Sequence, residues 1–211
     1  MKVFAHYFKS KETGNDYRWR TLLQLGSSWN VLGSVVMKNP GSAAPLKVVD
    51  DCDTITHLQS FDAENTWYAF SADTTMRMIE LLFSAYYQSS LDGIVQVFNL
   101  MNVHDPNLER ARIKHQQAVL PFSKTTDEDI KHLVAPVYLG WANLGQEPDF
   151  REDAERIFRV VRAEKNANYL HEKFEDNLFY HPYYLMGQGK NRPKSLFLLH
   201  AFCQNITSPK F

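Results

Sequence analysis

The feature that most constrains this chain is an apolar run over residues 29–37 that breaks abruptly into Lys38-Asn39-Pro40-Gly41-Ser42. Val31, Leu32, Val35, Val36 and Met37 leave little polar alternation, so the run suits a central strand buried on both faces. Asn39, Pro40 and Gly41 then supply tight-turn chemistry at the strand's carboxyl end. In open α/β sheets, ligands sit just outside such ends. The turn is therefore the first place to look for a site.

The remaining segments fit the same plan. Residues 2–8 and 17–25 flank Gly14-Asn15-Asp16 and read as a hairpin. Residues 91–100 read as a turn and a strand closing at Asn99. Residues 132–141 read as a third core strand stopping at Gly140-Trp141, and residues 177–185 as a short strand running into His181-Pro182-Tyr183-Tyr184. Helical spacing runs through residues 66–86, where Met76, Ile79, Leu82, Phe83 and Tyr86 share a face. It recurs over 150–165, with Ala154, Ile157, Phe158 and Val161 inward, and over 196–203; residues 108–120 carry it weakly. Acids at 127–129 favour a helix start there. Residues 38–66 read as a long loop bearing Asp50, Asp51 and Asp53, and long loops in small domains are usually functional.

Strands alternating with helices predict one α/β domain over residues 1–211. It is a three-layer α/β/α arrangement around a mainly parallel sheet, with an N-terminal antiparallel hairpin. Parallel strands would gather Asn39, Asn99, Trp141 and His181 on one rim.

Charge and cysteine usage bound the function. Lys and Arg number 23 against 24 Asp and Glu, a net charge of -1, so the basic surplus of a strong phosphate-gripping protein is missing from the chain as a whole. Cys52 and Cys203 are too few for a disulfide framework and read as free buried thiols in a reducing cytoplasm. Polar residues interrupt the first six positions too early for a signal peptide, and no apolar run approaches the ~20 residues of a membrane helix. The histidines lack metal-ligand spacing. His171-Glu172 meets Phe174 and Glu175 where a second His is needed, and His104-Asp105 is followed by Pro106. A cytoplasmic location, no membrane contact, no metal and no other cofactor are the expectations.

Each candidate residue has a functional and a plain reading. Asn39, with Pro40, Gly41 and Ser42 around it, suits a ligand-reading amide or simply a good turn. Asn99 offers two donors and an acceptor, enough for a nucleobase edge, or it stabilises a turn. His181, stiffened by Pro182 and followed by Tyr183, suits a neutral donor to a carbonyl oxygen or a packed core histidine. Asp73 caps a helix or touches substrate, and Phe70 packs in the core or stacks on a flat ligand. Trp141 belongs to the rim by its place at a strand end. Lys190 and Arg192, with Gly187 and Gly189, suit a phosphate contact or a solvated loop, without Walker spacing.

Several segments taken in order resemble a largely bacterial domain-of-unknown-function family whose pattern runs through Met-x-Asn-Pro-Ser-x-Ala. They are Tyr17-Arg18-Trp19-Arg20, Trp29, Met37 to Ala43, Asp73-Thr74-Thr75, Phe98-Asn99-Leu100, Asp105-Pro106, Gly140-Trp141 and His181-Pro182-Tyr183-Tyr184. Gly41 stands where that family has Ser, and residues 46–70 form a longer insert. The same order is similar to the uracil-DNA glycosylase superfamily, whose mismatch-specific branch ends its first core strand in Gly-Ile-Asn-Pro-Gly; here Met37 replaces the first glycine. The resemblance implies a glycosylase-like fold and a nucleobase-containing ligand or nucleic acid as partner. It also implies N-glycosidic hydrolysis, in which Asn39 places the water, Asn99 reads the base and His181 donates to the base carbonyl. The alternative class is a non-catalytic module that keeps the pocket for a small ligand or a protein partner.

Overall fold

The computed structural model describes residues 1–117, 120–164 and 173–204; the His171–Glu172 pair lies outside them. Seven strands, β1 (Lys2–Lys9), β2 (Asp16–Leu25), β3 (Val31–Met37), β4 (Pro45–Val48), β5 (Trp67–Phe70), β6 (Gly93–Asn99) and β7 (Val137–Leu139), form one sheet in the order β4-β5-β1-β2-β6-β3-β7. Among the described residues six α-helices accompany them: α1 (Cys52–Gln59), α2 (Thr74–Tyr87), α3 (Leu108–Gln117), α4 (Asp127–Lys131), α5 (Pro148–Glu164) and α6 (Arg192–Gln204).

The sheet is mixed, not mainly parallel. β3 runs parallel to β6 and β7, whereas β1–β2, β1–β5, β2–β6 and β4–β5 are all antiparallel. Two physical causes account for this. The N-terminal hairpin is inserted at the centre of the sheet, and a tight hairpin joins only antiparallel strands. In addition, residues 66–86 hold two elements: Trp67-Tyr68-Ala69-Phe70 is an aromatic strand, and the helix begins only at Thr74. The residues read as a long loop likewise contain β4 and α1. Asp51 caps α1 by accepting from the Thr54 amide at 2.9 Å.

Side-chain alternation along β3 sorts the core into two clusters. Val36 joins Phe98 and the inward face of α5, formed by Phe150, Ala154, Ile157, Phe158 and Val161. Val35 and Met37 join Val95, the α2 residues Met76, Ile79, Leu82 and Phe83, and the α6 residues Leu198 and Phe202. A smaller cluster holds Leu58 of α1 with Phe4, Leu22, Trp67 and Ile94. Both cysteines are free, but Cys52 at the start of α1 is exposed and Cys203 half-buried. Among the described residues, no helix is long and apolar enough to cross a membrane.

Because Ile79 and Ile157 lie in separate clusters, truncations there should act independently. Ile79→Val and Ile157→Val are each expected to cost about 0.5–1.5 kcal/mol, and the double variant their sum within about 0.5 kcal/mol, in urea unfolding. A larger interaction energy would mean that the two faces share one core.

Candidate functional site

The carboxyl ends of β6, β3 and β7 lie side by side. Met37 pairs with Asn99, the Leu100 amide donates to Met37 O at 2.8 Å, and the Gly140 amide donates to Val36 O at 2.8 Å. Antiparallel β2 brings its opposite end to the same rim, with Thr21 beside Val97. Above the rim, a cavity of about 390 Å³ is walled by the 37–41 turn, Asn99, the first turns of α2 and the His181–Tyr184 segment.

Asn39 is two residues beyond β3, and its side-chain amide nitrogen donates to the backbone carbonyl of Asp105 at 3.1 Å. A carbonyl only accepts, so this bond fixes the amide's orientation and leaves Asn39 Oδ1 as an acceptor. Asp105 is a firm anchor. Its carboxylate is almost fully buried and takes hydrogen bonds from the Asn107 amide, Arg110 and Lys114 at 2.8–3.3 Å. Burial by itself would raise its pKa, but those donors outweigh it and pull the value down to about 2.

Asn99 closes β6 and is 2% exposed; its backbone carbonyl accepts from Thr125 Oγ1 at 2.5 Å. Its side-chain amide makes no hydrogen bond to any described residue, yet it lines the cavity. A donor-and-acceptor pair is thus free to read a ligand edge.

His181 is not at a strand end, because no strand forms over residues 177–185. Pro182 instead opens a 3₁₀ turn, Pro182–Met186, with His181 as its cap. The turn is held by Tyr138 Oη donating to Tyr180 O and the Ala142 amide donating to Phe179 O, both at 2.6 Å. Gly140 allows the approach, since a Cβ there would come within about 3 Å of Tyr138, Pro182 and Met37 atoms. The Tyr183 amide donates to His181 Nδ1 at 3.2 Å, so in the neutral ring the proton sits on Nε2. Burial, then the nearby Lys38 charge, lower the His181 pKa from 6.5 to about 3. The ring is a neutral donor at physiological pH.

Asp73 caps α2 through the Met76 amide at 2.8 Å and lines the cavity. Pro40, Gly41 and Tyr183 line it too; Gly41 has φ of 77°, a left-handed conformation that favours glycine. Five proposed residues do not. Ser42 is exposed outside the wall. Phe70 is buried against the α2-side core, beneath the Arg18 guanidinium at 5.1 Å, because it ends a strand of its own. Trp141 is fully buried against Phe179 at 4.6 Å and borders a smaller neighbouring cavity. Lys190 and Arg192 are exposed and line neither cavity, since the turn carrying them faces outward at the start of α6.

Sequence reasoning missed Arg18 and Lys38. Arg18 is 3% exposed in β2 and donates to Ala43 O at 3.0 Å and to Pro40 O. Burial lowers its pKa to about 10, with Asp73 and Tyr7 opposing, so it stays charged. The available signal was an arginine inside an otherwise core-forming strand, because buried charges demand specific partners. Lys38 was read only as part of a turn, but it lines the cavity half-buried.

The unfolded chain accepts the His181 proton at a higher pH than the folded chain does, so its contribution to stability falls as pH drops from 6.5 toward about 3. Nitrogen-15 NMR should show His181 as the neutral Nε2–H tautomer throughout about pH 5–8. Titration of its ring near 6.5 would contradict the half-buried setting beside Lys38.

No protein-family model matches this chain, and neither does any curated protein or solved structure with which it was compared.

Proposed function

We propose that the cavity binds a nucleobase and that the chain hydrolyses the N-glycosidic bond attached to it. The observation carrying this reading is the free, nearly buried Asn99 amide set in one cavity with Asn39 and His181. A nucleobase edge presents adjacent donors and acceptors, and Asn99 offers the complement. Helices against two core clusters of one sheet support a three-layer glycosylase-like arrangement. The ordered motifs support kinship with the domain-of-unknown-function family named above and with the uracil-DNA glycosylase superfamily.

In the reaction, Asn39 Oδ1 accepts a hydrogen bond from a water and aims its oxygen at the sugar C1′. The C1′–N bond breaks as the C1′–O bond forms, and the electron pair leaves with the base. His181 Nε2–H donates to the base carbonyl, where negative charge develops. Asp73, the only carboxylate among the described residues lining this cavity, accepts the water's proton. Tyr183 and Tyr184 supply the aromatic wall in place of Phe70.

Incubating the protein with uracil-containing and mismatched oligonucleotides, and separately with free nucleosides and nucleotides, tests the reading by chromatography of released base. Base release is expected from at least one substrate, and Asn39→Ala should slow it by about 10²–10⁴-fold. Absence of released base from every substrate overturns hydrolysis, and full activity in Asn39→Ala overturns the role of Asn39. One observation favours the second reading, a binding module without turnover: the Met37 side chain occupies the cavity wall at the position where the mismatch-specific branch has glycine.

A further inference from the structure

Next to the main cavity is a second of about 220 Å³, and Lys38, Leu108, Ala142 and Tyr184 border both. The two are neighbouring compartments of one cleft, with Lys38 on the shared wall. Among the described residues Lys38 has no carboxylate or hydrogen-bond partner for its ammonium, although it is half-buried. The smaller compartment adds Lys194, an exposed residue whose ammonium lies 5.0 Å from the Tyr184 ring centroid and, among the described residues, has no carboxylate partner. The acids nearby are already matched. Glu147, in the smaller wall, is 2.5 Å from the Arg112 guanidinium, and Asp73, in the larger, shares its wall with Arg18. Two ammonium groups therefore stand at one end of the cleft without a carboxylate partner among the described residues.

We infer that the cleft binds a free nucleoside monophosphate, its base in the larger cavity and its phosphate in the smaller one between Lys38 and Lys194. This rests on the nucleobase reading of the larger cavity. A free nucleotide fits better than a nucleic-acid strand because several of the basic residues elsewhere are paired with acids. Arg110 and Lys114 pair with Asp105, Lys124 with Asp153, and Lys131 with Glu128. With a net charge of -1, the chain has no basic surplus for a phosphate backbone.

Calorimetric titration of the full chain tests this with the four common ribonucleosides, their 5′-monophosphates, inorganic phosphate and a short single-stranded oligonucleotide. At least one monophosphate is expected to bind about 10- to 100-fold more tightly than its nucleoside, with the gain shrinking as salt is added. Lys38→Ala and Lys194→Ala should each reduce that gain, and Lys194→Ala, outside the wall of the larger cavity, should leave nucleoside affinity in place. Lys38→Arg, which keeps the charge, should retain most of it, so that a loss confined to the alanine variant is not a folding defect. Equal affinity for nucleoside and monophosphate overturns the phosphate compartment while sparing the base reading. Lys38-dependent binding of phosphate and of all monophosphates alike, unaffected by Asn99→Ala, overturns the base reading instead. An oligonucleotide that outcompetes every mononucleotide overturns the choice of a free nucleotide.

Discussion

The site is organised around a charge that the fold buries. Arg18 sits 3% exposed inside β2, and even with its pKa lowered to about 10 the guanidinium keeps its proton. Burying an ion costs several kcal/mol unless its donors are satisfied. The acceptors come from the turn after β3: Pro40 O and Ala43 O take its terminal nitrogens, the Phe70 ring underlies it, and Asp73 supplies the opposing charge. Satisfying Arg18 therefore fixes the 40–43 turn against a strand two places away in the sheet. The turn has no freedom to drift without exposing that cost.

A second set of bonds fixes the other walls. Asn39 is tied to Asp105, whose carboxylate is itself held by Lys114, Arg110 and the Asn107 amide. Met101 N donates to Lys38 O, which extends the β3–β6 register past the last strand residue. The His181 turn is secured from β7 through Tyr138 and through the bare Cα of Gly140. The three polar groups consequently enter the cavity with different and complementary roles. Asn39 offers an acceptor, His181 a donor, and Asn99 both. Preorganised polarity of this kind needs little rearrangement when a ligand arrives.

The sequence made some of this legible and hid the rest for physical reasons. The β3 run and its Asn39-Pro40-Gly41 break, the Gly14 hairpin and the strand ending at Asn99 are local signals, and each corresponds to an element in place. The periodic faces of α2 and α5 were equally readable from their core residues. α1 was hidden because only Leu58 of its eight residues is buried, which leaves almost no apolar period. β5 was hidden because its four apolar residues lie only three residues ahead of α2 and were absorbed into the helical apolar pattern. Sheet order is not a local property: that β2 would pair with β6, making the sheet mixed, depends on long-range pairing that no window of sequence records. His181 reached the cavity from a 3₁₀ turn, so its expected position came from the wrong element.

Lys38 shows how the unread part of the sequence bears on the cleft. Its neighbours in the chain are consumed by structure: Met37 pairs with Asn99, Asn39 is bound to Asp105, and Pro40 O serves Arg18. Several other cations of the described chain, Arg110, Arg112, Lys124 and Lys131 among them, are placed beside acids, which keeps their interaction favourable and local. Lys38 is held half-buried without that compensation, and burial alone pushes its pKa down. The cleft therefore carries a partly desolvated positive charge beside a neutral His181, whose own protonation that charge opposes. An anion entering there would meet an ammonium that has already lost part of its water, so less desolvation remains to be overcome on binding. Burial, reinforced by the Lys38 charge, keeps His181 unprotonated, so the imidazole stays free to donate while the positive charge of the cleft is carried by Lys38, Lys194 and Arg18.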